Sequence, residues 1–550
     1  MKSFWFLVLC LRQLTIDCNL NSQRLIRYFK FVFPLFITFN LAAQITQPAR
    51  YEHPHKNRDH EFIIISLKKN GLALVRDTEK FEEHKRIWEV IFLDTALNVS
   101  WETSIPIDNR MNILGHEYQD QNIYLIFQNP DSNGRLINLT EIDPKQKIFK
   151  QHEFKPEVNL RLTHFTILNE KSIFGGYINQ EPALMLYNLA EEKAKIVPGI
   201  FQPNVDIMDV RTNTNGTFNV LLVEGRSTKA KKIIVRTYDA EGVMIVEDII
   251  PLDDRKTVIE AITSSLIRDE MAIIGTWTYG SGSKAAAGIF SVIVDPFNEQ
   301  KVNYYDFAQL NHFLDYLKPK RIAKIKAKAE WRRSVGKPVE FRVNLSAVKI
   351  EETENGFIFL GEIFESPSRG SYRSTPYPYG YTPYYSPYSM YGFSPFGYTM
   401  PYRYYSPYST DPYGTQRLAD YRLFGSSVVF FDSHGEIKSD LSLKFPDIKL
   451  AAKEQVSDFV YHNGYTSILC KEEKEIIAKV IAPQEADVKE EKIKPELKIS
   501  DETIHSEKQD DSSIRTWYDN FLYVYGYQII KEATNKNTRN VFYINKIKVP

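Results

Sequence analysis

From Glu61 onward the chain alternates short apolar runs with turn chemistry. One series of runs is almost wholly apolar: FIIISL (62–67), NIYLIFQ (122–128), SIFGGYI (172–178), FNVLLVE (218–224), MAIIGTW (271–277), FIFLGEI (357–363), YTSILC (465–470) and FLYVYGY (521–527). Runs this short and this apolar suit central strands buried on both faces. A second feature follows most of them: an apolar strand ending in Asp or Asn, a short turn, then another strand. The copies are IFLDTALNVSW, EIDPKQKIF, TYDAEGVMIV, VIVDPFNEQKV and FFDSHGEIK, with LYNLAEEKAKI as a degenerate one. Their anchors are Asp94, Asp143, Asn188, Asp239, Asp295 and Asp432, and the first five stand 49, 45, 51 and 56 residues apart. An Asp or Asn there accepts from backbone amides two residues on and tightens the turn, while Gly242 and Gly435 supply positive φ.

These series define eight candidate units of about four strands each, a period that suits blades of a β-propeller. Removing the insertions from 44–550 leaves about 400 residues, or roughly seven to eight blades. The expected fold is therefore all-β: a propeller of about seven four-stranded blades, with the eighth unit completing a shared ring-closing blade. Tandem β-sandwich domains are the alternative, since they also give short strands at regular spacing. In a closed ring the C-terminal strand 540–549 pairs with or beside the first strands after Glu61, which removes exposed edges.

The turns Asp239–Gly242 and Asp432–Gly435 have D-x-x-G spacing, unlike the D-x-G of sialidase-type Asp boxes, and the double glycine of kelch repeats occurs once, at Gly175–Gly176. Together with the order leader, hairpins, basic helix and hairpin with an aromatic loop, these turns resemble exported bacterial propeller-like repeat proteins. That resemblance implies the fold and the compartment. It brings no activity and no functional residues.

Three segments break the β pattern. In 306–337, Asp306 and Gln309 form a candidate capping box, and Phe307, Leu310, Phe313, Leu314 and Leu317 fall on one helical face. Pro319 then opens a second helix, PKRIAKIKAKAEWRRS. From Phe307 to Lys337 there are nine bases against Asp315 and Glu330. A packed insert with a solvated basic face is expected; contact with an anionic membrane is the less favoured use, and nucleic acid is not expected of an exported protein. The 50 residues of 367–416 hold 14 tyrosines and nine prolines, with no apolar period, inside a β unit whose flanks read as strands. Tyr384, Tyr385, Tyr404 and Tyr405 are the candidate contacts there for a protein or glycan partner, because tyrosine offers a flat apolar face with a polar tip. The third segment, 485–511, has ten acids against five lysines and is expected to be a solvated loop.

Charge balances over the whole chain, 69 bases against 69 acids, so no global nucleic-acid footprint exists. Residues 1–43 carry a basic stretch (Arg24, Arg27, Lys30), then the apolar FVFPLFITFNLAA. This reads as a signal peptide with an extended n-region, cleaved between Ala43 and Gln44, and export to the periplasm, outer surface or medium. A permanent N-terminal anchor is the alternative, although 16 residues interrupted by Pro34 and Asn40 fall short of a span. The next segment, 44–60, is expected to be a flexible lead-in, with His53, His55, Asp59 and His60 solvated rather than metal ligands. Only Cys470 lies beyond the leader, at the end of an apolar run, where a buried inert thiol is expected and no disulfide or cysteine-based zinc site can form.

Motifs for nucleophilic, phosphate-binding or metalloprotease chemistry are absent. The repeated aspartates sit one per unit at turns, which makes them structural. The expected function is a non-catalytic interaction or scaffold module at the cell envelope, without catalytic residues, cofactor or metal. The alternative is an exported hydrolase acting on glycans or peptides, with paired carboxylates in a central funnel.

Overall fold

The computed structural model describes residues 45–550 except 57–58, 130–135, 180, 225–230, 267–269, 281–285, 296–299, 342, 366–392, 395–397, 400–420, 451–454, 482–488, 509–511 and 533–536. The leader with Ala43 and Gln44, and the four tyrosines 384, 385, 404 and 405, lie outside the described residues. One unit, Gln47–Lys548, holds all the sheets discussed below, and of the other only 45–46 and 549–550 are described.

Eight antiparallel blades succeed one another in chain order. Blade one is 63–108, two 112–154, three 161–197, four 205–251, five 256–306, six 344–450 and seven 457–493. Each has four strands in the simple order first, second, third, fourth. First strands of successive blades approach one another, so they line the axis and the fourth strands form the rim. Seven of the eight apolar runs are second strands; FIIISL is instead the innermost strand of blade one, Ile63–Ser66. The apolar interior lies between blades, as the blade one–two cluster around Trp88 and Phe127 and the six–seven cluster around Phe359's neighbours Ile358 and Leu360 show. This interleaving excludes separate sandwiches, whose cores would be closed off from one another.

The ring has eight blades where about seven are expected, because the last one is a full blade of its own. Ser513–Tyr518 and Thr503–Glu507 share the inner edge of Phe521–Lys531, Thr538–Lys548 follows, and Thr46–Pro54 from the other end of the chain forms the rim strand. Closure thus uses residues before Glu61, and the segment 44–60 is not a loose lead-in. Arg50 explains its order: the guanidinium bonds Glu52 (2.7 Å), Asn545 (2.9 Å) and Gln528 (2.8 Å) and lies over the Tyr543 ring. Arg539 of the neighbouring strand binds Glu52 of the same segment (2.8 Å) and Glu502 (2.6 Å).

The acidic segment 485–511 is also corrected. It contains rim strand Lys489–Ile493 and strand Thr503–Glu507. Its acids are partly consumed: Glu502 binds Arg539, and Glu507 pairs with the buried Lys471 at 3.0 Å and accepts from Tyr543.

In 306–337 one helix forms, α1 (Pro319–Ser334), with Pro319 in its first turn as expected. Residues 307–317 are turns, not a helix. Asp440 reaches across from blade six and takes the amides of Asn311 (2.7 Å) and His312 (2.6 Å), leaving i→i+3 bonds such as Leu317 N to Leu314 O. Phe307, Leu310, Phe313 and Leu314 are nevertheless buried. The strands flanking the Tyr/Pro segment pair directly, Gly356 opposite Asp432 through Glu365 opposite Arg422. Asn344, where the chain enters blade six after the helical insert, lies opposite Phe364, at the end of the sheet where Glu365 pairs with Arg422.

Candidate functional site

The recurrent Asp turns all join the third strand of a blade to its rim strand. Asp94 Oδ1 accepts from the amides of Ala96 and Asn98 at 2.8 Å each, Asp143 from Lys145 and Gln146, Asp239 from Glu241 and Val243, and Asp432 from His434 and Glu436. Asn188 does the same with Ala190 and Glu191. Gly242 and Gly435 take φ near +74° and +75°. These aspartates close turns.

Near the axis a second set of acids occurs, which the periodicity does not announce. Asp209 on the inner strand of blade four accepts from Thr263 N (2.9 Å) and Oγ1 (2.7 Å) of blade five. Glu260 of blade five accepts from Ala347 N of blade six at 3.0 Å. Glu362 of blade six accepts from Val456 N, Ser457 N and Ser457 Oγ of blade seven at 2.7–2.9 Å. Asp458 of blade seven accepts from Thr516 N of blade eight at 2.7 Å. Glu117 bonds Thr166 from blade two to three. At the remaining junctions the corresponding bonds use no acid: Asn70 Nδ2 donates to Tyr118 OH, Ile207 N to Tyr177 OH, and Trp517 Nε1 to Gly71 O at 3.0 Å. A β-bulge precedes Asp209, Glu260 and, on blade six, Lys349, and re-aims those side chains toward the neighbouring blade.

Burial pushes Glu362 and Glu117 above the usual carboxylate range, against the hydrogen bonds that lower them. Burial likewise lowers Arg211, whose Nε lies 3.9 Å from Asp209 and which feels Glu352 of blade six. Lys349 bridges three blades through Glu351, Asp458, Phe459 O and Thr516 Oγ1, and the neighbouring acids raise it despite its burial. The chemistry of this axial set is blade-to-blade stitching. Asp209, Glu260, Glu362 and Asp458 each present an oxygen to a backbone amide of the next blade.

The histidine cluster disperses. His53 meets the edge of Phe62, His55 lies against Tyr527, Asp59 stands 3.7 Å from Arg76, and His60 reaches Glu79. Among the described residues no group of three or more His, Cys, Asp or Glu could hold a metal ion. Cys470 is free and fully buried, and burial pushes its thiol up, as the apolar run implied. Among the described residues no helix is long and apolar enough to cross a membrane.

The least ordinary surface is the rim of blade four. Its last strand, Met244–Pro251, has the sequence MIVEDIIP and an outer edge that pairs with no described strand. Val243, Met244, Ile245, Val246 and Ile249 are 45–58% exposed. Other rim strands interpose polar groups: Ser100, Glu102 and Ser104 in blade one, Lys193 and Lys195 in blade three, KEEKI in blade seven. Blade two exposes Ile148 and Phe149 but follows them with Lys150 and Gln151. A signal for this surface was present in the sequence, as an apolar run directly after the Asp239 turn.

No family model matches the chain, and no curated protein matches it. Among solved structures, the polysaccharide lyase Uly1 is similar over 90% of this chain and 100% of its own, at 9% identity and a TM-score of 0.38. Prolyl oligopeptidase B from Galerina marginata is similar over 87% of this chain and 57% of its own, at 7% identity and 0.37. A eukaryotic initiation factor is similar over 92% and 93%, at 8% identity and 0.37. The chain spans a little over half the length of the prolyl peptidases it matches. Likenesses this distant carry no activity to this chain; the propeller is read from its own sheet order.

Proposed function

We propose that this protein is an exported, non-catalytic propeller serving as an interaction or scaffold module at the cell envelope, and that it takes an extended segment of a partner protein along the rim of blade four. The observation that carries this is the apolar strand Met244–Pro251, whose outer edge pairs with no described strand. Exposed edges are normally blunted by charge, proline or brevity, and one left apolar is a template for strand addition. Charge specifies the partner further. Glu247 is held by Arg236 at 2.6 Å, while Asp248 has no such cation among the described residues and burial raises it. The fitting segment alternates apolar residues and carries Lys or Arg opposite Asp248. Export rests on the basic-then-apolar leader sequence. Tyr384, Tyr385, Tyr404 and Tyr405 remain a proposed second contact for protein or glycan.

Peptide display against the full chain tests the edge. Selected peptides should be extended, apolar and basic, should protect the amides of 244–251 from hydrogen exchange, and should lose at least tenfold in affinity to Ile245→Lys/Ile249→Lys. Protection elsewhere, or affinity unchanged in that variant, sinks the edge. Self-association abolished by the same variant assigns the edge to a second copy instead. Turnover of a glycan or peptide by the purified protein overturns the non-catalytic half.

A further inference from the structure

We propose that the outward face of α1 is a docking surface for an anionic lipid bilayer. The helix has two faces with different fates. Ile322, Ile325 and Ala329 turn inward onto the apolar interior at blades five and six. The cations flanking that inner face are used locally: Lys326 donates to Asn311 O, Arg332 to Pro338 O, and Arg333 stands 3.4 Å from Asp306. The opposite face carries Lys320, Lys324, Lys328 and Trp331, with Val335 at the C-terminal cap. At 100° per residue these five positions fall within roughly 80° of arc, along roughly 22 Å of helix. All five are exposed, Trp331 by 55% and Val335 by 48%. The three lysines have neither ion pair nor hydrogen bond among the described residues. Lys337 adds a cation 5.3 Å from the indole centroid.

The composition of this stripe selects the partner. Lysines one turn apart are point charges suited to a diffuse layer of anionic headgroups. Trp331 and Val335 lie on the same stripe, at one end, where an indole settles into the interfacial zone of a bilayer. A phosphate backbone offers those two side chains no such apolar zone. Because the helix's own apolar face is already buried in the protein, α1 rests on the bilayer rather than inserting, with Trp331 as the shallow anchor. This inference stands apart from the blade-four edge, and either can fail alone.

Co-sedimentation of the full chain with vesicles of phosphatidylcholine, alone or mixed with phosphatidylglycerol, tests it. Binding should require phosphatidylglycerol and weaken with salt. Lys320→Gln/Lys324→Gln/Lys328→Gln should weaken it by roughly 100-fold, with the melting temperature unchanged because the lysines are exposed. Should that variant unfold, a second measurement decides: brominated lipid should quench part of the tryptophan emission of the unmodified protein, and the quenched part should be missing in Trp331→Phe. Equal binding to neutral vesicles, full binding by a folded triple variant, or identical quenching in Trp331→Phe would each overturn the proposal. So would binding to a DNA duplex without binding to vesicles.

Discussion

Two populations of acid hold this propeller, and they do so on different length scales. Turn acids such as Asp94 and Asp432 accept amides two and four residues away. Axial acids such as Asp209 and Glu362 accept amides 54 and 94–95 residues away, on the next blade. The turn acids lie at the ends of hairpins, where displaced amides can return to water. The axial acids lie where water is excluded, so losing one strands its donors. The same chemical device therefore closes a loop in one place and fastens the ring in the other.

The strongest way to break this comparison is to remove an acid from each set. Glu362→Ala leaves three buried donors unsatisfied and should cost about 3–5 kcal/mol in urea unfolding. A loss as small as that of a turn variant would mean water replaces the carboxylate, and the axial set is not a fastening. Gly242→Ala should cost less, about 1–2 kcal/mol, because residue 242 is left-handed. Its new Cβ would also stand 2.7 Å from Leu186 Cδ1 of blade three, so the turn is local in its bonding but tertiary in its packing. Asp94→Ala, with solvated amides, should cost only about 0.5–1.5 kcal/mol. Thermal melts of these variants give the order directly.

The smallest expected effect is also the sharpest in sign. For Asp432, burial alone would raise the carboxyl, but the amides of Glu436 and His434 and the Lys438 ammonium outweigh it and the group lies below its usual range. Its contribution is present above the unfolded value of about 3.9 and is lost as pH falls through the lowered folded value. Glu362 is shifted the other way, upward, chiefly by burial. Its contribution is fully present below the unfolded value of about 4.3 and declines as pH rises through the raised folded value. Unfolding free energies across pH should therefore show the advantage of the unmodified protein over Asp432→Asn shrinking in acid, and that over Glu362→Gln growing in acid. Slopes of one sign would dissolve the distinction.

Much of the fold was legible because it is written in local chemistry. A strand's period spans a few residues and an Asp turn spans five, so the second strands, the turn anchors, the Pro319 helix start and the buried Cys470 all follow from neighbours in sequence. Closure was not legible in the same way. TQPARYEHP (46–54) has no strand period, and it is ordered by Arg50 bonding Gln528 and Asn545, 478 and 495 residues away. The axial acids did leave a trace, a lone acid inside an otherwise apolar run such as FIFLGEI, since a buried carboxylate needs a partner. Its partner could not be named from the run itself. Local pattern is thus enough to read a chain of β hairpins with apolar middles and capped turns, and a basic helix. Tertiary structure alone decided that there are eight blades, that the acids of one blade hold the amides of the next, and that MIVEDIIP and the lysine–tryptophan stripe of α1 face outward. The reason is physical: burial, edge exposure and inter-blade bonding depend on which distant surfaces meet, and no window of residues contains both sides of such a contact.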